Sequence, residues 1–126
     1  MSNVELNNDQ TGFHLDGSAA APQVSGTIVN TVVAGNKLGG VIANGPASST
    51  NNMIVMLNRD VIVNNGTNGI LASGQNTTIF VGSSVVTGNT NGVVANSPGI
   101  VSTYVNNQID GNSNNGTPIS STVPLH

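Results

Sequence analysis

Few side chains of this chain could do acid–base chemistry: the carboxylates Glu5, Asp9, Asp16, Asp60 and Asp110, the cations Lys37 and Arg59, and the histidines His14 and His126. A glycosidase needs two carboxyls facing each other across the scissile bond, and any proton-transfer site needs a base within hydrogen-bond reach. The five carboxylates are scattered along the chain at no common spacing, so each reads as a solvated turn group. Arg59-Asp60 sets a cation beside a carboxylate, which in a bend reads as a weak surface pair. His14 has no second ligand near it, which is poor ground for a metal site. No cofactor motif is visible, so no cofactor and no enzymatic activity are expected.

Composition narrows the partners. Net charge is −3 with two strong cations, too few for the cationic footprint that nucleic-acid binding requires. No apolar run reaches the roughly 18 residues of a membrane span. Met1 to Gln10 has neither the charged nor the apolar region of a signal peptide. Cysteine is absent, which removes disulfides and thiolate metal sites. Aromatic residues, which commonly stack on sugars, are limited to Phe13, Phe80 and Tyr104.

The elements that position these groups follow from a repeated phrase, plainest from Ser84 to Asn96: an apolar pair, Gly-Asn, a polar turn, then Gly and a second apolar run. Its second Gly recurs at Gly12, Gly40, Gly69, Gly92 and Gly116, at intervals of 28, 29, 23 and 24 residues. Such a period marks a solenoid. Each repeat offers three short strands: one after the Gly (Phe13 to Asp16, Val41 to Asn44, Ile70 to Ser73, Val93 to Asn96), one before a polar position, and one at the apolar pair. The predicted fold is all-β, a right-handed parallel β-helix of about four coils over residues 1–119, with a tail at 120–126. The longer intervals hold loop-like insertions, Gly17 to Val24 and Gly45 to Asn52. Val4 to Gly12 reads as the end of a coil whose start lies upstream, leaving an uncapped first coil whose strand edges invite end-to-end pairing.

Two asparagine stacks are predicted along the axis, Asn30 with Asn58 and Asn106 and with Ser83 as a weaker member, and Asn36 with Asn65, Asn89 and Asn112, since stacked amides can bond coil to coil. The five recurring glycines are assigned the positive-φ position of the turn. Leu15, Ile28, Val41, Ala43, Met56, Ile70, Ala72, Val93, Ala95 and Tyr104 are placed inward. Asn65-Gly66-Thr67 and Asn76-Thr77-Thr78 match the glycan acceptor pattern, which is frequent by chance in so Asn-rich a chain.

The phrase of Asn, turn residues, Gly and apolar alternation resembles the parallel β-helix repeat of the pectate-lyase-like superfamily, over roughly Val4 to Pro118. Enzymes of that superfamily act on acidic polysaccharides with clustered Asp residues, or with carboxylates holding Ca²⁺ beside a basic Arg or Lys. Here Asp16 falls beside Asn44, Ser73 and Asn96, and Asp110 lies in a turn, so the resemblance implies fold more than activity. The expected role is a non-catalytic structural or interaction module; the alternative is a polysaccharide-binding fragment of a carbohydrate-active β-helix protein.

Alternation also leaves apolar residues outside the core. Ile42, Leu71 and Val94 form one outward column, and Val29, Val55, Leu57, Phe80 and Val105 a second. Two apolar stripes on a charge-poor protein mark an interface, so a homo-oligomer is expected. A flat ladder of Thr, which ice binding would use, is absent from the repeat alignment.

Overall fold

The computed structural model describes every residue except 18–22, 46–50, 97, 118, 120 and 125–126. Three strands recur in fixed order: β1 (Glu5–Asn7), β2 (Thr11–Asp16) and β3 (Gln23–Val29), then β4 (Val32–Ala34), β5 (Gly39–Asn44) and β6 (Asn52–Asn58). They repeat as β7 (Val61–Val63), β8 (Asn68–Ser73) and β9 (Thr77–Gly82), and as β10 (Val85–Thr87), β11 (Asn91–Asn96) and β12 (Ile100–Thr103). A shorter last set is β13 (Gln108–Ile109), β14 (Asn114–Gly116) and β15 (Ser121–Thr122). Every third strand pairs in parallel, giving three five-stranded sheets wrapped around one axis. This is a parallel β-solenoid of about four coils, without helix among the described residues. Residues 120–126, set apart in the sequence as a tail, contribute β15, which pairs with β12. The predicted insertion loops lie largely outside the described residues, as does His126.

The core is built of like side chain on like. Leu6, Val33, Ile62, Val86 and Ile109 share one register column; Phe13, Val41, Ile70 and Val93 share another; Leu15, Ala43, Ala72 and Ala95 a third. β-Branched residues stack well on a pleated surface, and each coil buries the face its predecessor leaves open. Val33, Val41, Ile62, Ile70 and Val86 are all fully buried.

In β6 the predicted phase is wrong, although Val29 and Phe80 lie outward in β3 and β9 as expected. Val55 and Leu57, assigned outward, are both 0% exposed, and Met56, assigned inward, lies outside beside Phe80. Ile28 is inward as expected, and its partners are Leu57 and Val81. Tyr104 also faces outward, with its ring centroid 6.4 Å from that of Phe80. The cause is the bend after the strand. Asn30, Arg59, Ser83 and Val105 all take left-handed φ (52°, 59°, 50° and 67°), which flips the alternation. The inward polar residue therefore comes two positions later than Asn58, at Asp60. Val105, a β-branched residue in that conformation, is the least suited member of its column.

Of the five recurring glycines only Gly116 has the predicted positive φ; the other four have another task. Gly12, Gly40, Gly69 and Gly92 have no positive φ; that falls to Asn8, Gly35, Asn64, Gly88 and Gly111, one residue before each stacked position. A Cβ on Gly69 would lie 2.6 Å from Gly92 O, 2.7 Å from Val86 Cγ1 and 2.9 Å from Asn89 Nδ2. The column is glycine because the next coil's carbonyl and asparagine pass through the space a side chain would fill. Gly116 is one residue out of step: it pairs with Val93, at φ 116°, and Asn115 is the residue beside Gly92.

This separates two kinds of position by mutation. Gly69→Ala, at ordinary φ, should lower the unfolding free energy in urea by about 1–3 kcal/mol through overpacking. Asn64→Gly, in a bend where other coils already carry glycine, should change it by less than about 0.5 kcal/mol. A Gly69→Ala protein as stable as the parent contradicts the steric reading.

Candidate functional site

The most highly ordered polar array is the stack of Asn36, Asn65, Asn89 and Asn112. Asn36 Nδ2 donates to Asn65 Oδ1 (2.9 Å), Asn65 Nδ2 to Asn89 Oδ1 (3.0 Å) and Asn89 Nδ2 to Asn112 Oδ1 (2.9 Å). Each of these Oδ1 atoms also accepts the backbone N–H of the asparagine one coil earlier, at 2.9–3.1 Å. Each Nδ2 also reaches back to a carbonyl of the preceding coil: Leu6, Val33, Ile62 and Val86. An amide offers two donors and a two-lone-pair acceptor, and here all of them are used. Asn36, Asn65 and Asn89 are at most 1% exposed. At the first coil Asp9, not Asn8, stands in register, donating its N–H to Asn36 Oδ1. Burial of Asn65 also closes its glycan acceptor triplet; Asn76 is exposed.

The other predicted stack does not form. Arg59 takes the column between Asn30 and Ser83, donating from Nε to Asn30 Oδ1 (2.9 Å), while Asn106 bonds Ser83 in both directions. Asn58 sits one residue earlier and gives its N–H to Asp60 Oδ2 (2.9 Å). A polar column that sequence reasoning missed runs just inside: Thr31 N–H donates to Asp60 Oδ1 (2.9 Å), Asp60 N–H to Ser84 Oγ (3.1 Å) and Ser84 N–H to Asn107 Oδ1 (2.8 Å). The signal was weak because four residue types share the position; what they have in common is a short acceptor.

Asp60 is thus no surface group. It is 1% exposed, against the expected solvated pair with Arg59. Burial pushes its carboxyl above its ordinary value, opposed by the N–H bonds from Thr31 and Asn58. His14 is exposed, its Nε2 3.0 Å from Asn44 Nδ2; Asp16 shares its column with Asn44, Ser73 and Asn96; Asp110 bonds Gly111 N–H and the Asn115 amide. Among the described residues no three His, Asp or Glu side chains gather as metal ligands would.

The roomiest groove, about 680 Å³, lies by His14, Leu38 and Ile42 on the β2–β5 side, and two more lie on the outer face of the β3–β6–β9–β12–β15 sheet. A shallow groove of about 530 Å³ runs over Ile54, Thr78, Phe80 and Ile100, edged by Asn52 and Gln75. A second, of about 430 Å³, lies over Met56, Ser83, Tyr104 and Asn106. Of the predicted interface residues, Val29 and Phe80 are half-buried on this face, and Val105 is exposed in the adjoining bend. Ile42, Leu71 and Val94 stand in register, half-buried, on the outside of the β2–β5–β8–β11–β14 sheet, with His14 at the end of their column.

Asn65→Ala removes the acceptor of both the Asn36 N–H and the Asn36 side-chain amide in the interior, and should cost about 3 kcal/mol or more in chemical denaturation. Asn112→Ala, at the half-exposed end, should cost less. Asp60 should impose a pH dependence. A carboxyl raised in the folded state binds its proton there before it does in the unfolded chain, so stability falls as pH rises through the window above the ordinary carboxylate pKa. In Asp60→Asn that slope disappears, on top of a constant loss from the amide donor turned toward the Asn58 N–H. The parent's advantage over Asp60→Asn should therefore be larger in acid than at neutral pH; a difference that does not vary with pH refutes the assignment.

No protein-family model, no curated protein and no solved structure matches the chain.

Proposed function

We propose that the chain is a non-catalytic β-solenoid module that acts by association, with a second copy of itself as the partner. The observation that carries this reading is the outer face of the β3–β6–β9–β12–β15 sheet. Ile54, Met56, Phe80 and Ile100 lie there in adjacent register columns, with Thr78 between Ile54 and Ile100, and no charged residue stands in those columns. Flat sheet faces pack on one another at about 10 Å, and a twofold contact brings each patch against its own copy. Such a contact is penalised when the patch carries charge, and this one carries none. The resemblance to the pectate-lyase-like superfamily belongs to this reading as well, on the strength of the Asn–turn–Gly phrase alone.

A second reading, polysaccharide binding, draws on a specific feature: Phe80 lines the first groove beside the side-chain amides of Asn52 and Gln75, and its ring partner Tyr104 lines the second beside Asn106. Aromatic faces next to amides suit sugar rings.

Light scattering across a concentration series tests the first reading. The parent should be an oligomer, and Phe80→Asp and Met56→Asp should both release monomers without loss of the β-sheet circular dichroism. A monomeric parent at high concentration, or an oligomer that survives both changes, overturns it. Leu57→Asp is no substitute, since Leu57 is buried and its change tests folding. Retardation of a monomeric parent in gels containing neutral or acidic polysaccharide, abolished by Tyr104→Ala, would favour the second reading. Release of reducing or unsaturated ends from pectin or alginate would contradict both.

A further inference from the structure

The chain contains five Asn-Gly pairs: Asn44-Gly45, Asn65-Gly66, Asn68-Gly69, Asn91-Gly92 and Asn115-Gly116. Asn-Gly is the dipeptide most open to self-modification, because glycine puts no side chain in the way when its backbone nitrogen approaches the asparagine Cγ. The reaction balances with water as the only co-reactant. The glycine nitrogen loses its proton and bonds Cγ, the Cγ–Nδ2 bond breaks, and ammonia leaves. Water then opens the succinimide at either carbonyl to give aspartate or isoaspartate. Two groups must come free for this to happen, the asparagine side chain and the following N–H, so the pair held only by exposed partners of its own coil reacts first.

The coils withhold one or both at four of the pairs. Asn65 is 1% exposed, with its amide bonded to Asn89 and Val33, and Gly66 N–H donates to Asn36 O at 2.7 Å. Gly69 and Gly92 are buried within β8 and β11, whose asparagines Asn68 and Asn91 are bonded to each other at 3.1 Å. Gly45 N–H donates to Ser73 O at 2.7 Å. The fifth pair differs. Asn115 is exposed, and Gly116 N–H donates to the exposed Asn114 side chain of its own strand at 3.0 Å, not to a carbonyl of another coil.

We infer that Asn115 is a self-modification site, converting to aspartate or isoaspartate in the folded protein while the other four Asn-Gly pairs are shielded by the solenoid. The position has a structural consequence. Asn112 N–H and Nδ2 both donate to Asn115 Oδ1 (3.3 and 3.2 Å), so Asn115 is the outer rung of the asparagine ladder. Its amide also donates to Asp110 Oδ1 at 3.4 Å. Conversion replaces that donor with a second carboxylate facing Asp110, and the isoaspartate form adds a methylene to the backbone of β14, whose register with β11 it breaks.

The test is ageing of the intact chain at mildly alkaline pH, with peptide mapping by mass spectrometry at all five sites and a parallel sample in guanidinium chloride. In the folded sample Asn115 should convert at least about tenfold faster than Asn65, Asn68 or Asn91, which react only in locally opened molecules. In denaturant the five rates should come within a few-fold of one another. Asn65, Asn68 or Asn91 keeping pace with Asn115 in the folded protein overturns the inference, as does Asn115 lagging with them or no conversion in denaturant.

Discussion

The structure depends on one requirement: backbone groups turned inward at each bend must find partners, and there is no water there to supply them. At the bends before β5, β8 and β11 the solution is an asparagine whose amide bonds the coil above and the coil below. Asparagine suits this because it accepts and donates at once, on a side chain short enough to remain in the plane of its coil. A buried amide that meets every obligation fixes the register of whatever carries it, since a slip of one residue leaves several groups unpaired.

Other features follow from where that amide sits. It must be aimed inward from a sharp bend, so the residue before it adopts left-handed φ, and Asn8, Gly35, Asn64, Gly88 and Gly111 fill that place. The amide then lies against the start of the next strand, so Gly12, Gly40, Gly69 and Gly92 stand there without side chains. The second bend solves the same problem with mixed residues. Asp60, Ser84 and Asn107 each accept a backbone N–H from the coil before, and Thr31 starts the column by donating its own N–H to Asp60. Asp60 pays for that with a carboxylate held out of water. Outside, the bends leave the strand faces flat, and the β3–β6–β9–β12–β15 face carries its large apolar side chains in adjacent columns.

Much of this was legible without coordinates, and the reason is physical. In a solenoid each coil contacts only its neighbours, so the spatial repeat is printed directly as a sequence repeat. The interval between glycines, the Asn36, Asn65, Asn89 and Asn112 stack, and the inward phase of Val41, Ile70 and Val93 all follow from aligning the chain with itself. Local chemistry sufficed there because one residue type, with one geometric capacity, recurs at the position.

The tertiary structure decided what alignment could not. Val55 and Leu57 rather than Met56 enter the core because a left-handed residue at Arg59 reverses the alternation, and φ at a non-glycine residue is not written in its side chain. Asp60 is buried because Thr31, one coil earlier and 29 residues away in sequence, offers it an N–H, joined by that of Asn58 in its own coil. The glycines after the turn are needed for a carbonyl one coil on, a contact that exists only once the coils stack. The sequence by itself determined the period and the residues that mark it; the direction each side chain faces near a bend belongs to the backbone conformation, which only the assembled coils select.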